Sequence, residues 1–321
     1  MARDGPPPAP APDATGAHAL ARRLWRAPYL LLSLTMLFWS GNAVVGRAVH
    51  DAVPPVTLAF LRWAIASAIV LGVGRDRLRR DLPELVRHWR ILLVLSALGI
   101  ATFNAMLYAA LHSTTAINAL LLQSTMPLVI VLCTFLLFGE RPGLRQLAGL
   151  LVSLAGAALI TARGSLATLR TLTINPGDML VLLAVVLYAL YSALLRRQPR
   201  VHPLSLLGAS FAVGGAMLAP FAAWELAAGA RLRLDAGALA AIGYVAVFPS
   251  FLAYLCFNRG VQLIGANRAG QFMHLMPFFG SGLAIVFLGE AFHAYHAEGI
   301  GLIGAGIALA TVGARPVPPQ A

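Results

Sequence analysis

The sequence predicts an all-α integral membrane protein: ten transmembrane helices in two inverted five-helix repeats. Composition, a series of long apolar runs and an internal repeat lead there. Of the 321 residues, 59% are hydrophobic and 11% charged, with a mean hydropathy of +0.78. A soluble domain carries about a quarter charged residues. A run of about twenty apolar residues crosses the roughly 30 Å hydrocarbon core as one helix. Such runs recur along the whole chain, too long and continuous for barrel strands, so helices must satisfy the backbone.

The expected spans lie at about 29–49, 56–73, 91–111, 115–138, 143–162, 177–196, 203–223, 238–258, 266–288 and 296–313. Residues 1–27 begin Pro/Ala-rich (GPPPAPAPDA) and are expected to form a disordered cytoplasmic segment. Residues 163–176 are expected to link the halves 28–162 and 177–314. No short apolar stretch with a small-residue cleavage site precedes the first run, so no signal peptide is expected.

The formal charge of +12 is carried by Arg alone, without Lys, in short segments between apolar runs. No aromatic-interleaved basic face accompanies it, which excludes nucleic acid as the partner. Arg in that setting orients the chain in the membrane and meets anionic lipid. With the N-terminus inside, only Arg163, Arg170, Arg231 and Arg233 fall in outer segments. Both termini are therefore expected in the cytoplasm.

Residues 116–161 recur at 266–311 without a gap, at an offset of 150. Met126-Pro127 matches Met276-Pro277, Gly139-Glu140 matches Gly289-Glu290, and Gly149 matches Gly299. Residues 39–47 match 188–196 at an offset of 149. Five spans per half is an odd number, so equivalent helices run in opposite directions. That is the inverted-repeat plan of alternating-access transporters, with the solute near the midplane between the halves.

The same offset takes Asn104 and Tyr108 to Tyr254 and Asn258, an amide and a phenol on one helix face with their order swapped. Polar groups in membrane helices face partners or a watery cavity. These four are candidate cavity residues; hydrogen bonding between helices is the alternative. Trp39, Asn42, Tyr188 and Tyr191 lie near mid-span and offer aromatic and amide faces, again with packing as the alternative. Gln123 with Ser124, and Gln271 with His274, precede the shared prolines. Pro127 and Pro277 remove a backbone donor and are candidate hinges. His274 is the candidate proton relay, with a neutral packed histidine as the alternative. Glu140 and Glu290 are read either as caps on the following helix or as gate contacts with Arg. Arg47 and Arg62 are gate or packing candidates. Cys133 and Cys256 read as buried hydrophobes. His293, His296 and Glu298 lack the HExxH order, so no metal and no cofactor are expected.

The opening FWSGNAVVGRAV, the following PPVTLAFLRW, the run from Tyr108 to Ile160 and its second copy resemble the drug/metabolite transporter superfamily, in its ten-helix EamA-like branch. The Pro-to-Gly-Glu spacing in both halves is the most specific part. The second copy departs from the pattern at QFMHLMPFF and at Ala291, which stands where the first copy has Arg141. The resemblance implies a bacterial inner-membrane permease that exports small metabolites, commonly amino acids and derivatives, sometimes toxic cations. It implies coupling to a proton or solute gradient, with protons the candidate ion; no ATP-binding motif is present. Its partners are then a small solute and the lipid bilayer. The sequence assigns no oligomeric state.

The reading is a non-enzymatic secondary transporter exporting an amino acid or derivative. A multidrug or toxic-cation exporter is the alternative, and the spans lack the deep Asp or Glu that it needs. An intramembrane enzyme is the more remote one, since Ser124 and His274 lie on different helices.

Overall fold

In the computed structural model, residues 23–114, 119, 122–162, 164–165, 175–288 and 293–311 are described, apart from a few side chains that include that of Arg47. Among them every regular element is helical. The first half holds α1 (Pro28–Ala48), α2 (Pro55–Arg87), α3 (Trp89–Leu95), a π-helical segment (Ser96–Thr102), α4 (Phe103–Ala110), α5 (Met126–Phe138) and α6 (Leu144–Thr161). The second holds α7 (Pro176–Leu194), α8 (Pro203–Ala227), α9 (Ala236–Val245), a second π segment (Ala246–Leu252), α10 (Ala253–Ile264), α11 (Ala266–Gln271), a 3-10 turn (Phe272–His274), α12 (Leu275–Leu288) and α13 (Ala294–Thr311). Seven helices among the described residues are long and apolar enough to cross a membrane, and two further apolar helices are shorter.

Start signals explain the helix entries. Pro28, Pro55, Pro127, Pro176 and Pro203 sit at the first or second position of α1, α2, α5, α7 and α8. There a missing N–H costs nothing and a fixed φ is ready for the helix. Asn175 and Asp178 form a capping box on α7, and Asp235 accepts the Ala238 amide at 2.8 Å on α9. Gly139 closes α5 at φ +69°, a left-handed cap that side chains with a Cβ resist.

The second span runs longer than expected: α2 continues through the Arg-rich stretch to Arg87. Its extension is amphipathic, and buried Leu85 packs with Leu92 against Leu206 of α8. The fourth and ninth spans are broken rather than continuous. Ser124 and Thr125 form a turn before α5, and a 3-10 turn separates α11 from α12.

Equivalent helices of the two halves meet antiparallel. On α6 and α13, Gly149 faces Gly306 and Gly156 faces Gly299, so one helix advances as the other retreats. On α2 and α8 the facing pairs are Gly74 with Leu204, Val70 with Gly208, and Trp63 with Gly215. The halves are therefore inverted copies. The largest core gathers between them, around Trp63, Tyr188, Phe211, Tyr254 and Phe257.

Close approach on α6 and α13 demands glycine, as lipid-embedded helices pack through small residues. A Cβ on Gly156 would lie 2.7 Å from the Gly299 carbonyl oxygen, a backbone atom that cannot turn away. Gly156→Val is therefore expected to lower stability by about 1–3 kcal/mol. Gly301→Ala, with nothing within 4 Å of the added methyl, should leave it unchanged. Thermal unfolding of the purified protein in detergent reads both.

Candidate solute site

The two π segments lie at equivalent places in the halves: Ser96–Thr102 and Ala246–Leu252. Widened turns of this kind free carbonyls and re-aim side chains, and they concentrate at functional sites. Pro249 forces the second by removing a backbone donor; its counterpart is Gly99. Hydroxyls patch the ladder five residues back: Thr102 donates to the Ala97 carbonyl, and Ser250 to that of Val245 at 2.6 Å. The equivalent carbonyls of Gly99 and Pro249 accept from Tyr254 Oη at 2.5 Å and Trp39 Nε1 at 3.0 Å.

These breaks set the register of a small central cavity, about 20 Å³, or room for about one water. Asn42, Asn104, Gln123, Tyr188 and Tyr254 supply its polar wall. Trp39, Phe103, Leu107, Met126, Met273 and Met276 supply the apolar one. The Trp39 ring meets Tyr188 edge-on at 5.5 Å and Tyr254 at 5.8 Å. A solute larger than water enters only if the walls move, and flexible Met side chains suit a wall that must re-pack.

On one side of the cavity lies a polar layer centred on Arg62, which is 1% exposed. Its Nη1 donates to Asn104 Oδ1 at 2.7 Å, to Tyr108 Oη at 2.6 Å and to Asn42 Oδ1 at 3.2 Å. Its Nε donates to Ser250 Oγ at 2.7 Å. Tyr108 in turn donates to Asn42 Oδ1 at 2.7 Å.

The opposite side repeats half of that chemistry: Tyr191 donates to Asn258 Oδ1 at 2.9 Å. Tyr191 is the counterpart of Asn42, and Asn258 that of Tyr108, so the same bond recurs with its partners exchanged. The position equivalent to Arg62 holds Phe211, fully buried against Trp63 at a ring distance of 4.8 Å. Beyond this layer opens a vestibule of about 560 Å³, lined by Thr134, Glu140, Ser192, Arg196, Asn267 and Arg268 among others. Glu140 is ion-paired with Arg196 and accepts from Asn267 at 3.4 Å, which ties α5 to the second half.

That pairing corrects the cap reading of Glu140. The residue before α6 is Gly143, without a side-chain cap. The intervening Arg141-Pro142-Gly143 carries the carboxylate away from the free amides and towards Arg196. Glu290 and the side chain of Arg47 lie outside the described residues.

Neither Gln271 nor His274 lines the cavity; both are fully buried. His274 sits at the joint between the halves. Its Nε2 meets the carbonyl of Ser124, its own counterpart, at 2.9 Å, and its Nδ1 meets Ser153 Oγ at 2.6 Å. A carbonyl only accepts, so Nε2 carries the proton and Nδ1 is free to accept from Ser153. The Ser124 carbonyl is available because the Leu128 amide donates to Thr125 instead. Pro277 is the third residue of α12, so both prolines stand just after a break rather than inside a kinked helix.

The sequence thus supplied Trp39, Asn42, Asn104, Gln123, Tyr188 and Tyr254 for the cavity, and Tyr108, Tyr191, Asn258 and Arg62 for the flanking layers. It missed Ser250, Ser153 and Asn267, each paired with a predicted residue. Only Ser250, beside a mid-span proline, carried a signal.

Inverted halves that enclose a polar cavity inside a helical bundle define a multi-pass membrane transporter. The chain belongs to the EamA-like transporter family, whose pattern matches residues 26–162 and again 175–312. It is 26% identical to the uncharacterized transporter YyaM of Bacillus subtilis (strain 168), over 78% of this chain and 82% of that protein. It is 29% identical to an uncharacterized transporter of Archaeoglobus fulgidus, over 88% of this chain and 96% of the relative. A solved crystal structure superposes with a TM-score of 0.71 at 22% identity, covering 89% of this chain and 96% of that one, which shows the shared fold.

Replacing His274 by Ala would remove its hydrogen bonds to the Ser124 carbonyl and the Ser153 hydroxyl at the joint and leave a void. We expect a loss of about 2 kcal/mol or more, read as a lower unfolding midpoint in detergent.

Proposed function

We propose that the chain is a secondary transporter that exports a small metabolite, an amino acid or derivative, across the bacterial inner membrane by alternating access. One observation carries the reading: a cavity between the halves flanked by Tyr108–Asn42 on one side and Tyr191–Asn258 on the other. Parting one bond while keeping the other would open the cavity to one side of the membrane at a time. Asn104, Gln123 and the tyrosines would meet the polar ends of the solute, and Trp39 with Tyr188 its side chain. Protons are the proposed coupling ion. Pro127 and Pro277, next to the helix breaks, are the proposed hinges, and the Glu140–Arg196 pair a contact that must part on the vestibule side. A cationic cargo is disfavoured, because the charged side chain beside the cavity is itself a cation.

Counterflow in proteoliposomes, with a panel of amino acids at two internal pH values, tests this. Asn104→Ala and Asn258→Ala are expected to lower flux at least tenfold while inserting in normal amounts. Wild-type flux in both would count against the site. Reporter tags at the two chain ends should both face the cytoplasm; opposite faces would overturn the topology.

A further inference from the structure

The guanidinium of Arg62 is the feature that the transport reading leaves unused. It is buried at 1% exposure within the core of the bundle, and its four hydrogen-bond partners are all neutral. Among the described residues no carboxylate pairs with it. A charge so placed is expensive unless an opposite charge joins it.

The cavity wall in front of it is also arranged for an anion. A guanidinium only donates, so it turns Asn104 Oδ1 towards itself and leaves the amide N–H₂ on the other side. Asn104 Nδ2 makes no hydrogen bond, and neither does Tyr188 Oη. Both residues line the cavity, at 2% and 1% exposure. Tyr254 Oη lies beside both; its proton goes to the Gly99 carbonyl, and its lone pairs are the neutral acceptor nearest to the two donors. Two donors, held by no acceptor stronger than that phenol oxygen, therefore face a space whose nearest fixed charge is positive. The remaining wall, Trp39, Phe103 and the methionines, is apolar.

We propose that Asn104 and Tyr188, backed by Arg62, receive a carboxylate, so that the solute is an organic acid with an apolar body and amines without an acid group are refused. The carboxylate supplies the missing counter-charge to Arg62 and takes both donors from the weaker, neutral oxygen of Tyr254. Phe211 stands at the equivalent position of the other half, so the cavity holds one such anchor, and the acid end always points to the Arg62 side. This rests on the cavity being the transport site.

The test uses matched probes: phenylalanine, leucine and methionine, each with its amide and its decarboxylated amine, and 3-phenylpropionate. Purified full-length protein is used for counterflow and for ligand-induced thermal shift. The acids, 3-phenylpropionate included, should move and stabilise the wild type; the amides and amines should do neither. Arg62→Gln should weaken acid uptake at least tenfold. Asn104→Asp guards against misfolding of that variant, because it gives Arg62 a counterion from the chain itself. It should insert, melt no lower than the wild type, and lose the thermal shift with every acid. Amines or amides that match their acids in the wild type would overturn the proposal while transport stands. So would Asn104→Asp keeping the acid shift, or Arg62→Gln keeping uptake. A wild type that moves none of the probes, but moves cationic dyes, overturns the anion site alone. If it moves neither, the transport reading falls too.

Discussion

Inside a bilayer, a backbone group released from its helix must find another partner, since water is absent. That constraint orders this protein. Its helices break at the two π segments, before α5 and after α11. At each break except the α11 turn, a side chain takes over the released carbonyl: Tyr254 at Gly99, Trp39 at Pro249, His274 at Ser124. Two of those three side chains also form the cavity wall. Mending the backbone and building the site are thus largely the same set of contacts, which gives the polar centre a rigid frame.

The inverted repeat supplies the second layer of order. A bond between Asn and Tyr on one flank reappears on the other with the residues exchanged. The histidine that pins the joint grips the backbone of its own counterpart, a geometry available only near the pseudo-two-fold axis. Glycines on α6 and α13 pair by the same rule, Gly149 with Gly306 and Gly156 with Gly299.

What could be read in the sequence follows from which features the duplication kept. Asn104, Tyr108, Tyr254 and Asn258 were visible because an offset of 150 preserves their chemistry. The antiparallel halves were visible because an odd number of spans forces inversion. Arg62 was not legible as the centre of a layer, since its counterpart Phe211 breaks the pattern and its four partners come from three separate helical segments. The π segment at Gly99 leaves no mark in the sequence, for a single glycine in a helix has many causes. Glu140 misled because carboxylates before a helix so often cap it; the Pro142-Gly143 spacer defeats that here. His274 read either as a relay, because a titratable ring in a span suggests proton movement, or as a packed neutral ring, and both its nitrogens are hydrogen-bonded at the joint between the halves.

Phe211 opposite Arg62 makes the two closures unlike in strength. If both rested on the same Tyr–Asn bond alone, the proposed cycle would spend equal time open to either side. Pulling neutral oxygens from a buried guanidinium is harder than separating aromatic rings, and each 1.4 kcal/mol of that difference skews the populations tenfold. In the proposed cycle the empty carrier would therefore rest sealed at the Arg62 side and take up cargo through the Glu140–Arg196 vestibule. In the proposed cycle a one-residue departure from symmetry would set which way the empty carrier faces, while the gradients still set the direction of net flux.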